Sequence, residues 1–397
     1  MIALLAAVVL DSLHVGGPFD QGPTPRSLPE ISGLAASTAI PGLLWAHNDS
    51  GDQPRIIGIT PAGKVKLTLD LAGANHVDWE DIAYGRGAGP DSLVNYIHVA
   101  DIGDNNAKRQ FVTIYSVPEA VPAELANPAS TFPAMRMNMP FTLQHVVYPD
   151  GPRDAETLLL DSRTGEKYIV TKREKKSRLY RVPTKRSNPD TLEFITELPF
   201  TLATGGDISP DGIMILVKTY THVYAWERSL KETVGQAMKR PPIRVRYMPE
   251  PQGEAIAWAH DGSGFYTASE REDSTAPAPI MLYPRARTAA EANKLRDVRL
   301  PEMSVAPSQK KGWFDVRYTV PKQTNVELYV VNAIGQKARI VADLSYESGV
   351  QEREADLSML TAGDYVMVLR TADTYTAVPF SIGSVEHTAP KGRSQKR

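Results

Sequence analysis

One short pattern recurs along this chain and constrains its fold more than any other feature: a small or acidic residue, one spacer, then a short apolar run. It occurs in "ISGLAAS" from Ile31, "DWEDIAYG" from Asp78, "DAETLLLD" from Asp154, "GGDISPDG" from Gly205 and "QGEAIAW" from Gln252. Aligned on the apolar run, its first position falls at Ser32, Glu80, Glu156, Gly206 and Glu254, at intervals of 48, 76, 50 and 48 residues. Short strands repeating every ~40 to 50 residues are the mark of a β-propeller built from four-stranded blades. The long interval holds "PEAVPAELANPASTFPAMRMNMP", Pro118 to Pro140. Its prolines cannot donate to a central ladder, so it reads as a loop inserted outside the blades.

Each repeat supplies further strands. A second run ends in polar residues, as in "LLWAHNDSGD", "NYIHVADIGDNN", "KYIVTKREKK", "MILVKTYT" and "GFYTASERED". A third run carries Tyr or Ile, and a fourth closes most blades, as in "KVKLTLDL", "LEFITELPF", "IRVRYMPEP" and "LRDVRLPE". Tight-turn sequences "SRTG", "SPDG" and "HDGSG" join first strands to second. The expectation is an all-β chain with a five-bladed propeller over residues 22–303. At 397 residues the chain exceeds what one hydrophobic core fills, so a second domain is expected.

In an antiparallel blade, the start of the first strand and the end of the second share one edge, and the first strand lines the channel. Both polar sets therefore converge on one mouth. Glu80, Asp81, Glu156, Asp207 and Glu254 come from first strands; His47, Asn48, Asp49, Asp101, Asp104, Asn105, Lys172, Arg173, Lys218 and Glu270 come from second strands. Converging carboxylate oxygens are the hard ligands that Ca²⁺ takes. The metal-ligand candidates are Asp49, Glu80, Asp101, Asp104, Glu156 and Glu254; those for a small or anionic ligand are His47, Asn48, Asp81, Lys172, Arg173, Asp207, Lys218 and Glu270. Other readings stay open, since Asp49, Asp104 and Asn105 could form Asx-turns, the glutamates could bond neighbouring blades, and "KREKKSR" could be a solvated hairpin.

A formal net charge of -2 gives no global attraction to nucleic acid, and "KREKKSR" lacks the aromatics of a base-stacking surface. The chain has no cysteine, so it holds neither disulfides nor a thiolate zinc site. No nucleophile elbow, H-E-x-x-H or P-loop occurs, and no apolar run is long enough to span a bilayer. "MIALLAAVVL" has the length of a signal-peptide core, though no basic residue precedes it; residues 1–21 read as a secretory segment or as a buried first strand.

"LLWAHNDSGD", "DWEDIA" and "VADIGDNNAKR" with "IYSVPE" are similar to a group of secreted bacterial β-propeller proteins, over about Ile31 to Glu119. More distantly, the architecture and Glu80, Glu156 and Glu254 resemble gluconolactonase or senescence-marker-protein-like and esterase-like phytase propellers. That likeness implies glutamates lining the channel; no general base is matched.

Beyond Pro301 the pattern becomes that of a β-sandwich, expected over residues 313–383 after a linker at 304–312 and before a basic tail at 384–397. The "YTVP" strand, the "LYVVNAIGQ" strand and turn and the "LTAGDYVMVLRT" hairpin resemble the C-terminal sorting domain of the type IX secretion system. The resemblance implies the type IX machinery as partner and a secreted or outer-surface location. The tail "GSVEHTAPKGRSQKR" departs from it, and an ordinary immunoglobulin-like accessory domain is the alternative. Two function classes follow. One is an exported propeller that binds a ligand or divalent metal in its acidic mouth; the other is a calcium-dependent hydrolase of a lactone, ester or phosphoester.

Overall fold

The computed structural model describes residues 17–87, 94–119, 133–184, 187–271, 277–286, 301–346, 348–372 and 374–383. The leader up to residue 16, residues 120–132 of the insertion, "LRDVRLPE" up to Leu300 and the tail at 384–397 lie outside them. The chain divides into two compact units, Met1–Arg299 and Leu300–Arg397.

The first unit is a β-propeller of five sheets. Strand β1 (Phe19–Pro23) comes first. Blade I is β2 (Ile31–Ala36), β3 (Leu44–Asn48), β4 (Arg55–Ile59) and β5 (Val65–Asp70). Blade II is β6 (Trp79–Arg86), β7 (Asn95–Asp101) and β8 (Val112–Pro118). After the insertion, β9 (Met135–Asn138) lies parallel to β5 and widens blade I, while β10 (Thr142–Val147) pairs with β8 as the outer strand of blade II. The end of the Pro118–Pro140 stretch is thus part of a sheet, not a loop outside the blades.

Blade III is β11 (Ala155–Asp161), β12 (Glu166–Thr171) and β13 (Arg178–Arg181), then β14 (Asp190–Thr191), which pairs with β10 of blade II, and the outer strand β15 (Glu193–Glu197). Blade IV is β16 (Ala203–Ile208), β17 (Met214–Thr219), β18 (Val223–Glu227), a short helix α1 (Val234–Met238) and β19 (Ile243–Val245). Helix α1 starts at a capping box, in which Thr233 and Gln236 satisfy each other's backbone N–H. Blade V is β20 (Gly253–Trp258), β21 (Gly264–Ser269) and β22 (Pro279–Pro284).

The fourth strand of blade V is β1, antiparallel to β22 with Phe19 opposite Leu282 and Pro23 opposite Pro279. Residues 19–21 thus belong to the propeller rather than to a leader, while "LRDVRLPE", expected as a closing strand, lies up to Leu300 outside the described residues. The ring is closed by joining the chain's start to its last blade. β2 adjoins β6 and β20, β6 adjoins β11, β11 adjoins β16, and β16 adjoins β20.

Sandwiched between neighbouring blades, the inner strands bury both faces: every residue of β11, β17 and β20 is buried, whereas the outer strand β15 has none buried. Trp45, Ile56, Leu67, Trp79 and Ile97 pack between blades I and II, and Leu159, Tyr168, Val217 and Trp226 between III and IV. Each such side chain contributes about 1.5–3 kcal/mol by leaving water.

The second unit is a sandwich. One sheet orders β23 (Met303–Pro307), β24 (Trp313–Val320) and β27 (Gly349–Asp356). The other contains β25 (Thr324–Val331), β26 (Lys337–Tyr346), β28 (Gly363–Thr371) and β29 (Tyr375–Ile382). Inward Phe314, Val316, Tyr318, Leu328, Val330 and Met367 form the core. Residues 303–307 pair with β24, so this unit begins before the expected linker ends. The turn between β25 and β26 needs Gly335 at φ 76°, and the Asn332 carboxamide accepts the N–H groups of Ile334 and Gln336.

Candidate functional site: the acidic mouth

All five first strands carry a β-bulge near their start. The register against the second strand slips between Ile31 and Gly33, Trp79 and Asp81, Ala155 and Thr157, Ala203 and Gly205, and Gly253 and Ala255. The bulged residues are Ser32, Glu80, Glu156, Thr204 and Glu254. The recurring sequence position is therefore a backbone device that re-aims a side chain. In blade IV it is Thr204, not Gly206, because alignment on the apolar run slid that repeat by two residues.

The three bulge glutamates are buried, with Glu80 3%, Glu156 4% and Glu254 6% exposed. Carboxylate oxygens of Asp49, Asp78 and Glu80 lie within 4.8 Å of one another, as do those of Glu80, Asp154 and Glu156. Glu80 belongs to both trios. Asp78 and Asp154 each sit two residues before a bulge glutamate, so the signal that could have found them was the repeated D-x-E of "DWE" and "DAE". Gly103 makes room: a Cβ there would collide with Glu80 Oε1 and Asp78 Oδ2.

Burial, then the charges of Glu156, Asp49, Glu254 and Asp78, push the Glu80 carboxyl well above its usual range. Burial and the Asp78 and Glu254 charges raise Asp49 to about 7, and burial and Asp154 raise Asp78. Burial raises Glu156 although Lys172 opposes it. Glu270 is raised by burial and by Glu254, and accepts a bond from Gln252 Nε2 at 2.8 Å. Such a cluster needs protons, cations or hydrogen bonds to offset its repulsion.

Lys172 supplies part of the offset. Its ammonium bonds Glu156 Oε1, lies 3.9 Å from Glu254 and donates to Tyr220 Oη at 2.9 Å, while Tyr220 donates to Glu254 Oε1 at 2.9 Å. Burial works against the Lys172 ammonium, but the Glu156 and Glu254 charges outweigh it and raise its pKa. Glu156 Oε2 and Asp49 Oδ1 are buried without a hydrogen-bond partner. Arg173 Nε lies 2.5 Å from Asp154 Oδ2 and its guanidinium bonds Asn105. Lys218 is wholly buried, bonds the Gly253 carbonyl and is lowered to about 8 by burial, against the pull of Glu250, Glu254 and Glu156.

Several expected ligands are engaged elsewhere. Asp101 pairs with Arg109 at 2.7 Å and accepts the Asp78 N–H, while Asp104 accepts the N–H groups of Lys108 and Arg109, the Asx-type alternative. Neither is in the carboxylate trios. Asn48 ties Ser27, Glu30 and Asp52 together. His47 is fully buried in the wall, its Nδ1 2.8 Å from the Asn48 carbonyl and its ring edge-on to Trp79; burial lowers it to about 4. Asp81 accepts N–H groups of Ile82, Leu158 and Gly206, stitching blades II, III and IV, and Asp207 accepts those of Ile208 and Trp258. The last two carboxylates hold blades together rather than facing the mouth.

No protein-family model and no curated protein matches the sequence. Solved structures similar in shape include a luciferin-regenerating enzyme (10% identity, covering 68% of this chain and 95% of that one, TM-score 0.36). A gluconolactonase from Xanthomonas campestris matches at 13% identity over 78% of this chain and 89% of that one, TM-score 0.36. PorZ, a surface component of the type IX secretion system of Porphyromonas gingivalis, matches at 10% identity over 88% of this chain and 51% of its own, TM-score 0.26.

Proposed function

We propose that the acidic mouth binds a divalent cation, with Ca²⁺ the best fit, and that the protein is an exported cation- or ligand-binding propeller. The observation that carries this reading is the pair of carboxylate trios sharing Glu80, each within 4.8 Å. The orphaned Glu156 Oε2 and Asp49 Oδ1 supply oxygen lone pairs with nothing yet bonded to them. An all-oxygen donor set matches a hard cation. Calorimetry with Ca²⁺ and Mg²⁺ on chelator-treated protein, parent against Glu80→Gln, tests it. Glu80 is the right residue because Glu156 is also tied to Lys172. The parent should bind Ca²⁺ and melt higher with it, and the variant should lose at least about tenfold in affinity, since it removes one charge from both trios. Absence of Ca²⁺ binding by the parent would overturn the reading.

Export by a type IX system is supported by the separate sandwich unit and by its "LYVVNAIGQ" strand and turn. Among the described residues no helix is long and apolar enough to cross a membrane. Truncation after Arg299 in a host with that machinery should leave a folded propeller retained in the periplasm. Its normal appearance outside the cell would remove the sorting role.

A further inference from the structure

The first strands run in one direction through the ring, so their far ends meet at the mouth opposite the carboxylates. There they enclose a cavity of about 620 Å³ to which all five blades contribute, through Thr38, Tyr84, Ser162, Ile208 and Trp258 among others. That volume suits a small-molecule site. Its chemistry is opposite to that of the acidic mouth. Arg86, Arg163 and His260 line it. The one carboxylate in its wall, Asp207, has an oxygen committed to the Ile208 N–H at 2.7 Å and the other to the Trp258 N–H at 2.8 Å. Arg86 is exposed and has no carboxylate partner among the described residues. Arg163 gives one Nη to the Leu230 carbonyl at 2.7 Å.

The wall also carries flat rings. The Tyr84 hydroxyl is fixed by Glu119 and lies 3.2 Å from Thr38 Oγ1. Trp258 is 2% exposed, with the Arg285 guanidinium 5.6 Å from its ring, and its indole N–H is buried without an acceptor. We propose that this cavity binds a small organic anion that joins a planar ring to a phosphate or carboxylate. The anionic group faces Arg86 and Arg163, where guanidinium recognition is strongest; the ring lies among Tyr84, Trp258 and His260.

The test is calorimetry on the full chain, chelator-treated so that the acidic mouth holds no metal, with phenyl phosphate as the probe. The parent should bind it saturably at one site, and benzyl alcohol, which keeps the ring without the charge, should not bind. Arg86→Gln, at an exposed position, should weaken binding at least about tenfold, as expected for a lost charge-assisted bond. Glu80→Gln, at the other mouth, should leave it unchanged. The proposal is overturned if the parent shows no saturable binding up to about 10 mM, a weak-binding limit. Equal binding by parent and Arg86→Gln overturns it too, as does sensitivity to Glu80→Gln alone, which would put the anion in the acidic mouth.

Discussion

Replacing Asp49 by Asn should change how stability depends on pH, by an amount that follows from its surroundings. Burial and the Asp78 and Glu254 charges raise Asp49 from 3.8 to about 7. A carboxyl raised in the folded state holds its proton where the unfolded chain has released it. Its stabilising contribution is therefore complete below about pH 3.8 and vanishes as pH climbs through 7. Between pH 5 and 8 the linkage relation makes this loss roughly 2–3 kcal/mol in metal-free protein. His47 and His222, each lowered to about 4 by burial, pull the other way between about pH 4 and 6.5. The readout is accordingly the difference between parent and Asp49→Asn, in which groups common to both cancel. An amide resembles the protonated acid and can still donate to Asp78. Urea unfolding in chelator at pH 5, 6, 7 and 8 should find the variant gaining on the parent by that amount as pH rises. Millimolar Ca²⁺ should rescue the parent at pH 8 far more than the variant. Parallel stability curves for the two proteins across pH 5 to 8 would refute the reasoning, because they would mean that Asp49 titrates alike folded and unfolded.

Two further outcomes concern the frame around the site. Arg228 and Asp161 form a 2.7 Å ion pair with both side chains 1% exposed, so Arg228→Met should cost roughly 3–5 kcal/mol in urea unfolding, and adding Asp161→Leu should recover much of it. Deleting residues up to Pro23 removes the strand that closes blade V; the melting temperature should drop, and a peptide spanning 17–24 should restore it in trans, with each ladder hydrogen bond worth about 1 kcal/mol.

The blade count was legible because each blade repeats the same bulged start, and the bulge admits few residue types. Its alignment was less so. In blade IV the run of Gly205, Gly206 and Asp207 leaves Ile208 as the apolar landmark, two residues further from the bulge than in blade II. Strand β1, "FDQGP", offered almost no apolar signal, since an outer strand needs only backbone pairing, and its partner lies far along the chain. The recurring pattern puts Glu80, Glu156 and Glu254 at one blade position, and all three sit at the bulges; Asp101 and Asp104 are expected as metal ligands, with an Asx-turn as the alternative for Asp104, and that alternative is the one the Lys108 and Arg109 N–H groups take up. "DIGDNNAKR" does not say whether its carboxylates turn toward the channel or toward Arg109, and Arg109, reaching back to Asp101 and the Gly103 carbonyl, decides it.

The bulge position explains how one scaffold both fastens its blades and opens a site between them. Where it holds a hydroxyl, the side chain reaches across the channel wall. Ser32 Oγ donates to the Glu80 carbonyl at 2.6 Å, and Thr204 Oγ1 to the Glu254 carbonyl at 3.3 Å. A carboxylate can only accept, so Glu80, Glu156 and Glu254 cannot make that bond in the charged form. Their acceptors need donors from elsewhere: Lys172 serves Glu156, and Tyr220 serves Glu254. Glu80, which belongs to both carboxylate trios, is left to protons or a cation. Asymmetry around the ring therefore follows from which bulges donate. Hydroxyl bulges in blades I and IV lock onto the following blade, and glutamate bulges in II, III and V concentrate charge at one mouth of the channel, with Glu80 at its least compensated point.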